Sequence, residues 1–250
     1  MKDIIDFPAG GYRFINGSLS YSLGVAALPG FRLERVRFQS PIPLENAFQR
    51  IAEIIAAAQR PPSALAALEL RSPVQFTEAT FGAFNEHYFS LIRSTGYPGI
   101  TETNPIARTN VCPYKHAPSA ASIYAFSYTI EDTTARPSYV LAGAVDFSEG
   151  EGSFQDLIVA AGQVDPAGIA KKAAHALNEL ERRLQLFASD WSKTTGAGLY
   201  CIHDVYDALT VEMVARGAAH AGITWHLCQP PIDGLEFEMD VRSISVERTI

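Results

Sequence analysis

The chain has 250 residues, 47% of them apolar and 19% charged, which is enough apolar substance for a sizeable core and too little charge for a disordered polyelectrolyte. Its formal charge is −7, from 20 Lys and Arg against 27 Asp and Glu, and no basic block is present that could follow a phosphate backbone, so nucleic acid is not the expected partner. No apolar run is long enough to span a bilayer, and the acidic segment from Met1 to Pro8 lacks the form of a secretory leader; no membrane association and a cytoplasmic location are expected.

In chain order, Tyr12 to Ile15 and Phe31 to Phe38 read as strands. After Pro43, the residues Leu44, Phe48, Ile51, Ile55 and Ala58 recur at steps of four and three, which places them on one face of a helix. A strand at Leu65 to Leu70 follows, then a helix from about Thr77 to Arg93, then strands near Ala107 to Cys112 and Ser122 to Ile130. A polar stretch from Glu131 to Pro137 closes this half.

The second half begins with strands predicted at Tyr139 to Val145 and Leu157 to Ala161, with a turn or short loop at Ser148 to Gly152 between them. The turn Asp165-Pro166 leads into a helix carrying Ile169, Ala173, Ala176, Leu177, Leu180, Leu184 and Phe187 on one face. Then come a strand at Ala197 to Ile202, a helix from about Val205 to Ala221, and strands near Ile223 to Leu227 and Leu235 to Ile244. The same order thus occurs twice, as after an internal duplication. Ala47 to Ile51 lies over Ala176 to Leu180 at one offset, and Ile55 then falls on Leu184. The expected units are residues 1–134 and 135–250; two unrelated α+β domains are the alternative.

The three cysteines, Cys112, Cys201 and Cys228, form no C-x-x-C and no even framework, so buried free thiols are expected. The six histidines contain no His-x-x-x-His pair, and His203-Asp204 has no second ligand close in sequence, so no metal is expected. There is no Gly-x-Ser-x-Gly, Cys112 precedes Pro113 rather than a helix, and Gly10-Gly11 lacks the lysine and helix of a phosphate loop. These patterns speak against serine or cysteine hydrolases and nucleotide enzymes, and no cofactor is expected.

Several short stretches resemble the Rid (YjgF-like, reactive intermediate deaminase) family. Tyr21-Ser22-Leu23-Gly24-Val25 resembles its N-terminal Tyr-Ser-x-x-Val, and Gln39 to Pro43 its Ser-Gly-Gln-Ile-Pro turn, which Ala161 to Pro166 preserves better. Phe84 to Phe89 resembles its second helix, Ile106-Ala107-Arg108-Thr109-Asn110-Val111 its Pro-Ala-Arg-Ser/Thr-x-Val strand, and Leu235 to Val241 its closing Ile-Glu-x-Glu-Ala strand. The resemblance implies an α+β fold of two tandem Rid-like, chorismate-mutase-like units, each a mixed sheet with two helices packed on one face. It also implies association into a trimer or another ring.

In that family an arginine of the fifth strand binds a substrate carboxylate, and a glutamate of the closing strand serves the attacking water. By position, Arg108 is the clamp, and a guanidinium suits it because it binds a carboxylate bidentately and stays charged. The glutamate position holds Tyr124 in the first half and Glu238 in the second, which has Ile223 or Thr224 in place of the arginine. Each half has lost a different part, and Arg108 of one could meet Glu238 of the other.

Catalytic candidates are therefore Glu238, Tyr124 and Asn110, the last on the strand face that carries Arg108; substrate-binding candidates are Arg108, Tyr21 and Ser40. Tyr124 reads equally as core, and Glu236, Glu238 and Asp240 on one strand face suggest water or a partner's basic groups. The resemblance implies hydrolysis of a small carboxylate-bearing enamine or imine, foremost a 2-aminomuconate-type dicarboxylate of aromatic-ring degradation. Arg13, Arg35, Arg37 and Arg71 are open choices for its second carboxylate. Detoxification of 2-aminoacrylate-type imines, a non-catalytic binding protein and a chorismate-cleaving hydrolase are the alternatives.

Overall fold

A computed structural model describes residues 4–18, 20–97 and 103–250; Met1 to Asp3 of the acidic N-terminal segment lie outside the described residues. The first repeat runs β4 (Phe31–Pro43), α1 (Leu44–Ala57), β5 (Leu65–Arg71), α2 (Glu78–Ser94), β6 (Ala107–Pro113) and β7 (Ser122–Glu131). It is preceded by β1 (Ile4–Phe7), β2 (Tyr12–Ile15) and β3 (Gly24–Ala27). The second runs β8 (Tyr139–Val145), α3 (Phe154–Leu157), α4 (Pro166–Leu186), β9 (Gly196–Tyr200), α5 (Tyr206–Ala215), β10 (Thr224–His226), β11 (Cys228–Gln229), β12 (Glu238–Ser243) and β13 (Val246–Thr249).

Both repeats build the same core sheet. The first has the strand order β6-β5-β7-β4 and the second β10-β9-β12-β8. In each, the first two strands pair in parallel and the others antiparallel, so both sheets are mixed. The remaining strands cross over: β1, β2 and β3 extend the second sheet beyond β8, while β11 and β13 border the first beside β6 and β4. A cut between residues 134 and 135 falls between β7 and β8 and parts the two core repeats, yet it leaves five strands bonded to the opposite repeat's sheet.

The layers follow from the apolar faces. Leu44, Ala47, Phe48, Ile51 and Ile55 press α1 onto the first sheet, where Tyr88 and Ile92 of α2 join them. Ile169, Ala173, Ala176, Leu177, Leu180 and Leu184 press α4 onto the second, joined by Leu209 and Met213 of α5. The opposite faces of the two sheets meet each other across Tyr12, Phe14, Val25, Leu33, Ala66, Ala67, Ala107 and Ala142. The result is two helices, two facing sheets and two more helices, with a polar seam where the sheets touch. No helix among the described residues is long and apolar enough to cross a membrane.

Several sequence expectations need correction. Leu157 to Ala161 is not a strand: Ser153 and Asp156 form a capping box that nucleates α3, and the chain then turns with Ala160 in the left-handed region. The last helix of the second repeat stops at Ala215 rather than Ala221, because Gly217 takes a positive φ of 71°. Glu238 and Asp240 do not face water; the first sheet covers them, and both are buried.

One buried ion pair sets the start of β12. Lys172 Nζ donates to Asp146 Oδ2 at 2.7 Å with both side chains fully buried, and the same carboxylate accepts the backbone N–H groups of Glu236 and Phe237. Replacing one partner strands the other charge away from water. Lys172→Met is expected to lower the unfolding free energy by about 3–5 kcal/mol in urea titrations; a loss below about 1 kcal/mol would show that the pair is not holding this corner.

Candidate active site

The site forms where β6 of the first sheet approaches β12 of the second. Alternation along β6 sends Ala107, Thr109 and Val111 one way and Arg108, Asn110 and Cys112 the other. Thr109 ties the sheets together: its hydroxyl donates to Asp240 Oδ2 at 2.9 Å and accepts the Gly143 N–H at 3.1 Å. Asp240 also accepts from the Tyr200 hydroxyl at 2.8 Å and from the Gly198 N–H at 3.2 Å.

Arg108 is only 4% exposed and lies in a cage of rings. Its guanidinium carbon is 4.6 Å from the Tyr21 ring centre and 4.8 Å from that of Tyr88, with Phe81 at 5.6 Å and Phe84 at 5.7 Å. Phe81, Phe84 and Tyr88 recur at three- and four-residue steps along one face of α2, which is why one helix supplies three walls. Among the described residues Arg108 makes no ion pair, and its buried Nη1 has no hydrogen-bond partner. Burial pulls its pKa down, opposed by Tyr88, Tyr21 and Glu238. The nearby Tyr88 hydroxyl is also buried without a partner.

Asn110, two residues along, is 3% exposed; its Oδ1 accepts from the Ser72 hydroxyl at 2.8 Å and its Nδ2 is free. Glu238, also 3% exposed, fills space that only a glycine on β8 leaves open: a Cβ at Gly143 would lie 1.8 Å from Glu238 Oε1. Burial and the neighbouring Asp240 push the Glu238 carboxyl well above the ordinary carboxylate range, against the pull of the Arg71 and Arg108 charges. Its Oε2 has no partner. Cys112 is no nucleophile, since burial pushes its thiol up to about 12.

Arg71, at the end of β5, completes the group. Its guanidinium stacks on Tyr124 at 4.1 Å and sits 5.4 Å from Tyr200; Nη1 donates to the Leu70 carbonyl at 2.9 Å, and the buried Nη2 has no partner. The other arginines considered for a second carboxylate are engaged or remote. Arg13 pairs with Asp6, Arg35 is held by Glu69 and Glu247, and Arg37 is exposed.

The structure thus sets Tyr21 against Arg108, with Asn110 on the same face of β6, while Glu238 lies on the seam side that Thr109 faces, within reach of the Arg71 charge. It sets two candidates apart. Tyr124 lies behind Arg71 and lines a different cavity, and Ser40 is exposed on β4, three strands from β6 in the sheet order. Ser72, Tyr88 and Gly143 were not singled out from the sequence. Gly143 carried a signal, because a glycine inside the apolar strand Tyr139–Val145 marks a close approach.

The sequence profile of a family described as 2-aminomuconate deaminase CnbZ matches residues 4–248. The chain belongs to this family. A 2-amino-5-chloromuconate deaminase of Comamonas testosteroni is 39% identical over 252 residues, covering 100% of both chains. Among solved structures, the YjgF gene product of E. coli matches 43% of this chain and 80% of its own at a TM-score of 0.33 and 10% identity. A YjgF-family member from Mycobacterium tuberculosis matches 43% and 79% at a TM-score of 0.27 and 17% identity. Membership of the CnbZ family makes the chain an enzyme of the deaminase class.

Buried polar atoms of Arg71, Arg108, Asn110 and Glu238 have no partner among the described residues, nor have those of Tyr88 and of residues elsewhere such as Trp191, and each costs about 1–3 kcal/mol while unpaired. Gly143 leaves room for the Glu238 carboxyl. Gly143→Ala is expected to lower stability by about 1–3 kcal/mol and kcat/KM by at least about tenfold, through displacement of Glu238. Thermal denaturation and a deaminase assay check both; unchanged turnover would mean that the carboxyl position is immaterial.

Proposed function

We infer that the chain hydrolyses a 2-aminomuconate-type unsaturated dicarboxylate of aromatic-ring degradation and releases ammonia. What supports this reading is charge: the buried guanidiniums of Arg108 and Arg71 form no ion pair among the described residues, and burial and Asp240 raise the pKa of the buried Glu238 carboxyl. Two uncompensated cations suit a dianion. A 2-aminoacrylate-type substrate has one carboxylate and would leave Arg71 uncompensated. Arg108 takes the carboxylate beside the amine-bearing carbon, and Arg71 the distal one.

The chemistry then needs one proton carrier. Neutral Glu238 protonates the enamine at carbon, and the amine-bearing carbon becomes an iminium. The resulting carboxylate accepts a proton from water as its oxygen adds to that carbon. The restored acid protonates the nitrogen of the carbinolamine while the hydroxyl proton returns to Glu238. The carbon–nitrogen bond breaks, and one water has been exchanged for one ammonia, leaving a 2-oxo acid. Asn110 Nδ2 holds the water or the amine, its amide fixed by the Ser72 hydroxyl donating to Oδ1. Tyr21, Phe81 and Phe84, all partly exposed, stand between Arg108 and solvent and form the side from which substrate enters.

Association of copies belongs to the same reading. Tyr206, Val211 and Val214 of α5 are 71%, 68% and 62% exposed, and Leu227 is 62% exposed, an apolar surface consistent with further assembly.

The direct test is freshly generated 2-aminomuconate, expected to lose its ultraviolet absorbance with stoichiometric ammonia. Saturable binding without ammonia would contradict the reading. Arg108→Ala is expected to lower kcat/KM by roughly 10²- to 10³-fold, about 3–4 kcal/mol, and Arg108→Lys to recover only part of it. Because the acid form of Glu238 starts the reaction, kcat/KM should fall only as pH rises through a pKa well above the usual carboxylate range. Glu238→Gln is expected to lower kcat by about 10²- to 10⁴-fold and to abolish that alkaline limb. An acid limb near the ordinary glutamate range, with no alkaline fall, would assign Glu238 the opposite role.

A further inference from the structure

The seam between the sheets holds a second cavity. Thr224 and His226 of β10 pair with Gly198 and Tyr200 of β9, whose Gly198 N–H and Tyr200 hydroxyl donate to Asp240 in the seam, and the Tyr124 ring of β7 meets His226 there. Thr224, His226 and Tyr124 line this cavity of about 210 Å³, together with Arg37. That is about seven water volumes at ~30 Å³ each, room for a small organic acid.

The charges in this cavity are unevenly committed. Arg35 binds Glu69 through two nitrogens and Glu247 through a third, and Arg242 binds Glu247 at 2.6 and 3.2 Å. Those two arginines and two glutamates balance. Arg37 and Arg248 are left over: among the described residues Arg248 donates to the Tyr128 hydroxyl at 2.9 Å and Arg37 to the Tyr124 hydroxyl at 3.3 Å, so the Arg37 fork is open to an anion. His226 stacks on Tyr200 at 5.2 Å and meets the Tyr124 ring edge-on at 5.9 Å, and its ring nitrogens have no hydrogen-bond partner among the described residues.

We propose that this cavity is a second ligand site, binding the carboxylate of a small organic acid through Arg37, Tyr124 and His226, separate from the deaminating pocket. Arg71 is the wall between the two: its guanidinium lies on the Tyr124 ring on one side, and its charge reaches Glu238 on the other. Both carboxylates that line the cavity, Glu69 and Glu247, are tied up in ion pairs with Arg35 and Arg242, so it binds without deaminating.

The imidazole gives the test a spectroscopic handle. Burial holds His226 down at about 4, helped by Arg71 of β5, Arg35 of β4 and Arg242 of β12 and opposed by Glu69 of β5. The rings of Tyr124 of β7 and Tyr200 of β9 flank it. An anion beside the ring stabilises its protonated form and moves its titration upward.

The probe is cis,cis-muconate, which has both carboxylates and no amine to lose. Calorimetry on the intact protein is expected to give two muconates per chain, one per chain in Arg37→Ala with turnover within about twofold of the parent, and one per chain in Arg108→Ala. The His226 ring-proton resonance is expected to move with muconate in the parent and in Arg108→Ala, and to stay fixed in Arg37→Ala. One muconate per chain in the parent, or a His226 resonance indifferent to muconate, would overturn the second site. Because these readings count binding, an absence of deaminase turnover would leave them intact and would strike only the catalytic assignment.

Discussion

Two buried guanidiniums that form no ion pair among the described residues, Arg108 and Arg71, are the constraint on which the rest of the molecule depends. Moving an ion of this kind out of water costs several kcal/mol, and proteins normally offset that with a paired charge. Arg35 shows the normal solution here, with Glu69 and Glu247 around it, and Glu69 is held at about 2 as a result. Arg108 and Arg71 depart from it: one has aromatic faces, the other tyrosine rings and a single carbonyl. Ring faces soften the cost of burial but leave the forks unfilled. In the proposed reaction the missing counter-charge is what a dicarboxylate brings.

The double-sheet architecture is what makes this possible. A single repeat would expose the sheet face that carries Thr109 and Glu69; facing its twin, that surface becomes a seam in which charges meet away from water. The exchanged terminal strands lock the arrangement, since β1 to β3 are bonded to the second sheet and β13 to the first. Neither repeat closes its sheet alone.

Much of this could be read from the residues before any coordinates. The four- and three-residue steps of Leu44 to Ile55 and Ile169 to Leu184 placed α1 and α4, and Arg108 stood out through its Ile-Ala-Arg-Thr-Asn-Val setting. What escaped was long-range pairing. The strand Val246–Thr249 is exposed along its whole length and has no apolar alternation, so nothing local marks it, and Gly24–Ala27 is too short and small to read as a strand. The acidic run Glu236, Glu238, Asp240 looks solvated because sequence does not reveal which sheet will cover it. For the same reason Arg71 was one of four arginines with equal standing: its distinction is an unpartnered nitrogen in the folded seam, a property of neighbours that come from β7 and β9.

The most direct measurement is a crystal structure of the protein soaked with a six-carbon unsaturated dicarboxylate. The account expects one carboxylate on the Arg108 fork, the other on Arg71 Nη2, and the Glu238 carboxyl against the carbon chain between them. Density confined to other surfaces, with Arg108 and Arg71 still unpaired at saturating ligand, would contradict it.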